Sequence, residues 1–225
     1  MLTIKGIEVF GLQRAMLAAG NPMTVGEIDT TDSSNQQRPE NLERGKRLGT
    51  TGSGEGHDNF LKGIIVQFDV KYPQYWTPEA QRYHWLDIVS SQSKMHRLIM
   101  AGSSSDFASM FNKYVSPTVI QIVQSHIDWY NQLSEMKPHS DGNYYSEEMT
   151  MFTPSEQKDR LYRAFMEALS NLPMGYEMWE TLSTNYLQLK GIYKQRKNHK
   201  LKEDWGAFTK MCEELPLFLE LIQKK

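Results

Sequence analysis

GHDNFLKGIIVQFDVKYPQYWTPEAQRYHWLDIVSSQSKMH, residues 56–96, is the stretch on which the fold turns. From Ile64 to Lys71 it alternates strictly: Ile64, Val66, Phe68 and Val70 fall on one side, Gln67, Asp69 and Lys71 on the other. A period of two places one face of a strand in a core. Pro73 has no N–H to give to a ladder, so the strand should end near it. Thr77-Pro78 then offers an N-cap and a first-turn proline, and no glycine or proline interrupts Glu79 to Ala101. The pattern predicts one long helix stopping at Gly102, with His84 and Asp87 on a shared face.

Working outward, Leu2–Leu12 reads as a first strand with Ile4, Ile7 and Val9 inward, followed by a short helix over Gln13–Ala19. Asn21–Gly56 is polar and glycine-rich, a mobile surface loop with a helical turn at Asn41–Arg47. A helix is predicted to start at Asp106, and a clearer one spans Pro117–Met136, with Ile120, Val123, Ile127, Tyr130 and Leu133 on its apolar face. Lys137–Thr153 reads as a loop or short hairpin. Thr153-Pro154-Ser155-Glu156 is a capping box opening a helix whose apolar face is Leu161, Phe165, Ala168 and Leu172. Two further helices are predicted: Glu177–Arg196, on Trp179, Leu182, Tyr186, Leu189 and Tyr193, and Lys202–Leu215, on Trp205, Phe208, Met211 and Cys212.

With 225 residues and 39% hydrophobic content the chain suits one domain over 1–225, or one carrying a large insertion. A net charge of -2 gives no global basic field for nucleic acid. The single Cys212 rules out an internal disulfide and a cysteine-rich zinc site. No apolar run approaches the roughly 20 residues that span a bilayer, and MLTIKGIEVF lacks a signal-peptide core, so a cytoplasmic protein without membrane contact is expected. The six histidines form no zincin pair, and no metal is expected. Ser93 and His96 are three apart but lack a nucleophile elbow. Gly49–Gly56 lacks the Gly-Lys-Ser/Thr ending of a phosphate loop. The basic run KQRKNHKLK, residues 194–202, fits either a solvated helix end or an anion site.

The stretch 56–96 resembles the core of the flavin-dependent thymidylate synthases, often called ThyX proteins. Laid along their pattern without gaps, Gly56-His57-Asp58 falls on Gly-His-Glu, Tyr83-His84-Trp85 on Arg-His-Arg, and Ser93 on the motif serine. Leu172-Pro173, Asn185 and Arg196 follow the family's late spacing. The chain also resembles uncharacterised bacteriophage proteins tied to that family. The resemblance implies an α+β domain with a central antiparallel sheet packed by long helices, assembled as a homotetramer, with FAD and dUMP bound at subunit interfaces and a folate as carbon donor.

By that resemblance Ser93 is the catalytic and substrate-side serine, His57, Arg82, His84 and Asn185 hold cofactor, and Arg97 and Arg196 hold substrate. The departures from the pattern are cationic. Tyr83 and Trp85 stand where the motif has arginines, Met95 where one follows the serine, and Leu169 where one precedes Leu-Pro. Arginines grip phosphates as permanently charged forks. Arg82, Lys94 and Arg97 are the nearby substitutes, and a shift of one residue would put Arg82 on the motif. A fold retained with its chemistry lost or altered is therefore expected, with a host or phage protein or a nucleotide as partner. The alternative is an active synthase.

Overall fold

The alternating stretch forms the strand that it predicts. The computed structural model describes residues 1–52, 54–101 and 107–224. Its elements begin with β1 (Thr3–Phe10), α1 (Leu12–Ala18), α2 (Ser33–Gln36), α3 (Pro39–Gly49), β2 (Ile65–Pro73), α4 (Thr77–Ala80) and β3 (Asp87–Ser91). They continue with α5 (Lys94–Ala101), α6 (Pro117–Glu135), β4 (Tyr144–Tyr145), β5 (Met151–Phe152), α7 (Pro154–Ser170), β6 (Glu177–Asn185), α8 (Tyr186–Arg196), α9 (Lys202–Glu214) and α10 (Phe218–Ile222). The expected α+β class holds: a four-stranded sheet in the order β1-β2-β6-β3, with β1–β2 and β3–β6 antiparallel, and helices around it. The chain divides into two compact units, residues 1–72, 76–91 and 179–225, and residues 73–75 with 92–178.

In the first unit β2 buries Val66, Phe68, Val70 and Tyr72 on one side, as the period of two requires. Phe68 continues into an aromatic core, with ring centres 6.0 Å from Phe208, and Trp205 lies 5.5 Å from Phe208 and 5.2 Å from Trp76. Such pairs add about 0.5–1.5 kcal/mol each beyond burial. The neighbouring β1 departs from expectation at Ile7, which is exposed. Between Lys5 and Glu8 the register shifts: three steps on β1 face two on β2, from Asp69 to Gln67. Gly6, at φ 61°, permits this bulge, and one extra residue reverses the alternation, so Ile4 and Val9 are half-buried and Ile7 is turned out.

The long helix predicted over Glu79–Ala101 does not form. The α4 helix closes after Ala80, turns carry the chain to Leu86, and β3 follows. Ile88 and Val89 are β-branched and stiff at χ1, and Ser90-Ser91 favours competing backbone bonds, so pairing with β6 outweighs the absence of a breaker. His84 and Asp87 therefore share no helical face. The predicted stop at Gly102 and start at Asp106 lie outside the described residues.

The predicted helix over Glu177–Arg196 is also two elements. Its first nine residues are β6, with Leu182 and Thr184 buried in strand alternation. The three-and-four spacing ran into the strand by coincidence, because Leu182 is inward in either periodicity. Asn185 ends the strand and caps α8, its Oδ1 accepting the Gln188 N–H at 3.0 Å. From there Tyr186, Leu189 and Tyr193 are buried as predicted, as are Trp205, Phe208, Met211 and Cys212 of α9. The helical turn expected at Asn41–Arg47 extends to the eleven residues of α3.

One buried charge organises this unit. Lys190 of α8 is 1% exposed, and its ammonium donates to Asp58 Oδ2 at 2.6 Å, to Gly49 O at 2.9 Å and to Thr51 O at 2.8 Å. An ammonium has three protons, and all three are taken. The glycine-rich stretch thus turns carbonyls inward around a cation, the opposite polarity to a phosphate cradle.

In the second unit α6 buries Val123, Ile127 and Leu133, and α7 opens with the predicted capping box between Thr153 and Glu156. Of the predicted α7 face Ala168 is buried, Leu161 and Phe165 are half-buried, and Ala164 and Gln157 lie inside. The Gln157 amide donates to Leu133 O at 2.8 Å. Between the helices β4 and β5 pair as a short hairpin.

Lys190→Ala leaves the Asp58 carboxylate buried without its counter-charge and should cost about 3–5 kcal/mol in urea denaturation. A loss under about 1 kcal/mol would show the pair to be dispensable. A second expectation concerns alkali. Burial, with the Glu213 carboxylate accepting its hydroxyl at 2.7 Å, pushes Tyr193 from 10.0 up to about 12. Burial raises Tyr72, Tyr186 and the Cys212 thiol as well. The neutral form of Tyr193 belongs to the folded state, so its stabilisation is complete below the ordinary tyrosine value of 10.0 and is lost as pH rises through about 12. Tyrosinate absorbance and loss of circular dichroism should therefore appear together in that window.

Candidate functional site

The first unit gathers five polar and aromatic side chains around Arg196, in the last turn of α8. Its Nε donates to Tyr83 Oη at 2.6 Å and its Nη1 to Glu79 Oε2 at 3.2 Å. The guanidinium carbon lies 4.5 Å from the Trp205 ring centre and 5.4 Å from that of Tyr83. Trp205 Nε1–H donates to the same Glu79 oxygen at 2.7 Å, and His199 Nε2 lies 3.6 Å from it. The Tyr83 hydroxyl donates to Gln195 Oε1 at 3.0 Å. The cluster is internally neutralised: a fork suited to phosphate already faces a carboxylate. An arginine at position 83 would set a second cation against Arg196, whereas the buried Tyr83 supplies an acceptor and an aromatic face.

Toward the other end of α8 a cavity of about 360 Å³ is lined by Lys62, Trp85, Asp87, Thr184, Asn185 and Gln188, among others. Trp85 is 54% exposed and presents a ring. Thr184 is buried, and its Oγ1 has no hydrogen-bond partner among the described residues. A buried hydroxyl without a partner is uncommon, and a ligand that bonds to it removes the cost. The structure therefore joins Asn185 and the motif position Trp85 in one cavity. His84 is exposed, its ring 4.9 Å from that of Trp85. Arg82 is exposed and has no hydrogen-bond or ion-pair partner among the described residues. His57 is exposed, while the adjacent Asp58 is turned inward to Lys190.

Ser93 and Arg97 belong to the second unit. Ser93 Oγ accepts the His96 N–H at 3.4 Å and its carbonyl accepts the Arg97 N–H at 3.1 Å, so this serine starts α5. Arg97 donates through Nη1 to the Glu177 carbonyl and lies 5.4 Å over the Tyr176 ring. Lys94 Nζ donates to Gln74 Oε1 at 3.0 Å. Among the described residues no group of three or more His, Cys, Asp or Glu could hold a metal ion, and no helix is long and apolar enough to cross a membrane. In the basic run, Lys194 and Arg196 occupy the last turn of α8, where cations favour the helix dipole.

Sequence reasoning missed Glu79, Trp205 and Thr184 as parts of these clusters. Glu79 reads in sequence only as an acidic residue opening a helix, and Trp205 only as core. Nothing local marks their convergence with Arg196, which comes from more than 100 residues beyond Glu79.

No protein-family model and no curated protein sequence matches the chain. Solved structures do. A flavin-dependent thymidylate synthase ThyX from Helicobacter pylori, complexed with FAD and dUMP, aligns with a TM-score of 0.60 over 99% of each chain at 16% identity. A second structure of that organism's thymidylate synthase X with FAD and dUMP aligns at 0.60 over 100% of each chain at 14% identity. The chain has the fold of the flavin-dependent thymidylate synthases. The agreement is one of backbone, with few side chains in common. It covers the strand and late-helix regions on which the sequence resemblance to ThyX was drawn.

Tyr83→Phe removes the acceptor from Arg196 Nε and the donor to Gln195. It should lower stability by about 1–3 kcal/mol in thermal denaturation. An unchanged melting temperature would show Arg196 to be held by Glu79 and Trp205 alone.

Proposed function

We propose that this protein is a nucleotide- or flavin-binding descendant of the thymidylate synthase fold in which dUMP methylation has been lost. The single observation that carries this is the Arg196 cluster. The cation that the resemblance would direct to a substrate phosphate is paired with Glu79, and Tyr83 stands where the motif has an arginine. Losing one charged contact to a phosphate costs about 1.5–3 kcal/mol, a factor of ten or more in affinity. Two or more such losses leave dUMP essentially unbound at cellular concentrations.

The cavity beside Trp85 supports retained binding of a ring. A planar nitrogen heterocycle can lie on the Trp85 indole while its polar edge meets Thr184 Oγ1, Asn185 and Gln188. Those residues fit the ring of FAD, and the cavity wall carries one cation, Lys62, and one carboxylate, Asp87, which gives a pyrophosphate no arginine fork. When bound, FAD supplies hydride-transfer chemistry. This chain's part is to stack the ring, satisfy its edge and exclude water from Thr184. The protein is read as a cytoplasmic homo-oligomer of viral origin; support for assembly comes from β3, an edge strand with all five residues exposed, including Ile88 and Val89.

One observation favours the alternative, an active synthase: Arg82, next to Tyr83, is exposed with no partner among the described residues and could replace a motif arginine. An absorbance spectrum of the purified protein, dUMP calorimetry and growth of a thymidine-requiring strain separate the two. The expected result is flavin uptake on titration, no measurable dUMP binding and no rescue. Glu79→Ala, by freeing Arg196, should raise affinity for inorganic phosphate or dUMP at least about tenfold. Rescue of growth by the unaltered chain would overturn the proposal.

A further inference from the structure

We infer that the first unit carries a surface for single-stranded nucleic acid, with a base on Trp85 and the phosphate backbone on the basic run 194–202. Four lysines of that run, Lys194, Lys197, Lys200 and Lys202, are exposed, and none has a side-chain hydrogen bond or ion pair among the described residues. Glu79 answers only the arginine of the run: it receives Arg196 Nη1 at 3.2 Å and Trp205 Nε1–H at 2.7 Å, and His199 Nε2 lies 3.6 Å from it. Local electrostatics accounts for one of the four lysines. Lys194 lies in the last turn of α8, where the helix dipole favours a cation. Lys197 follows three residues on, and like charges at that spacing repel. Lys200 lies between helices, and Lys202 opens α9, the end at which the dipole opposes a cation. Charges strung along the chain from 194 to 202 against their own repulsion match a string of phosphates.

The aromatic part of the surface is bonded to the same run. Tyr83 Oη donates to Gln195 Oε1 at 3.0 Å and accepts the Arg196 Nε–H at 2.6 Å, which holds the segment 80–86 against the last turn of α8. That segment displays Arg82, His84 and Trp85 to solvent. The His84 and Trp85 rings are 4.9 Å apart, and Trp85 walls the cavity at the start of α8, where Thr184 Oγ1 is buried without a partner among the described residues. The segment thus runs from the lysine end of α8 to its cavity end, with Arg82 on the way. From Gln188, in the cavity wall, to Lys197 the helix rises about 14 Å at 1.5 Å per residue. A mononucleotide carries its phosphate beside its base and does not span that length; a chain of several nucleotides does. Exposed rings for bases beside a track of cations for the backbone are the means by which single strands are held. A duplex keeps its bases stacked on one another and offers Trp85 none. The apolar member of the run, Leu201, is half-buried, so the run offers a lipid surface charge without an apolar face. The base end rests on the ring-binding reading of the Trp85 cavity; the lysine end does not.

The test titrates the full chain into a short labelled oligothymidylate and follows fluorescence anisotropy over a series of salt concentrations, with the matching duplex, oligoglutamate and anionic lipid vesicles as comparisons. Saturable binding to the single strand is expected, with log K falling linearly against log salt by about 0.7 for each phosphate neutralised, so by at least about 2 for three contacts. The Lys194→Ala/Lys197→Ala/Lys200→Ala variant, altered only in exposed side chains, should bind at least about tenfold more weakly with a flatter slope, while its flavin uptake stays that of the unaltered chain. Trp85→Ala should weaken binding about fivefold or more and leave the slope unchanged. Absence of binding, binding indifferent to salt, equal affinity in either variant, or tighter binding of duplex, oligoglutamate or vesicles would each overturn the inference. Flavin uptake without oligonucleotide binding sinks this inference and leaves the flavin reading standing; oligonucleotide binding without flavin uptake does the reverse.

Discussion

An ammonium removed from water is the constraint around which the first unit is arranged. Transferring Lys190 into the interior costs on the order of several kcal/mol unless every proton finds an acceptor. The chain provides three, one carboxylate and two main-chain carbonyls, from a stretch that follows α3. That requirement brings Gly49, Thr51 and Asp58 to one point on α8. It also explains the glycine at 49: a Cβ there would run into the Leu221 carbonyl of α10, so the two segments can approach only without a side chain. With Asp58 facing inward, the adjacent His57 has to face outward, so the motif-like pair is divided between core and surface.

Arg196 obeys the same rule under weaker burial. A guanidinium among Tyr83, Trp205 and Gln195 needs an anion, and Glu79 supplies it. Substituting arginine by tyrosine at a motif position then has two effects. It leaves one cation fewer beside Arg196, and the Tyr83 hydroxyl accepts the Arg196 Nε–H within the packed wall. The cavity at the other end of α8 carries no comparable commitment, since Thr184 Oγ1 is buried there without a partner among the described residues. The charge of Arg196 is thus committed within the fold, whereas the hydroxyl of Thr184 is not.

The sequence disclosed what depends on short-range periodicity. The β2 strand, the α7 capping box and the α9 stripe all rest on spacing within ten residues or so, and each is in place. Two helices that were read across Glu79–Ala101 and Glu177–Arg196 turned out to contain strands. In both, β-branched residues beside serines answered to a pairing partner about 90 residues away, and tertiary hydrogen bonding outweighed local preference. The bulge at Gly6 was visible as a glycine, but its effect on Ile7 depends on the register with Asp69 and Gln67. Site residues fared similarly: the capping role of Asn185 was hidden inside a segment read as one helix, and the Glu79–Arg196 and Asp58–Lys190 pairs join segments more than 100 residues apart.

The β3–β6 ladder carries a kinetic consequence. Ser91 faces Glu180 across it, so the chain leaves the sheet and re-enters it at a single rung after a long excursion. Closing so large a loop in an unstructured chain is entropically slow, although each doubling of length adds only about 0.6 kcal/mol. The excursion contains α6 and α7, two helices joined by a hairpin whose contacts are local and can assemble early. Once they have, the stretch between the two strands behaves as a much shorter tether. The topology therefore predicts that the inserted helices form before the last strand zips onto the sheet.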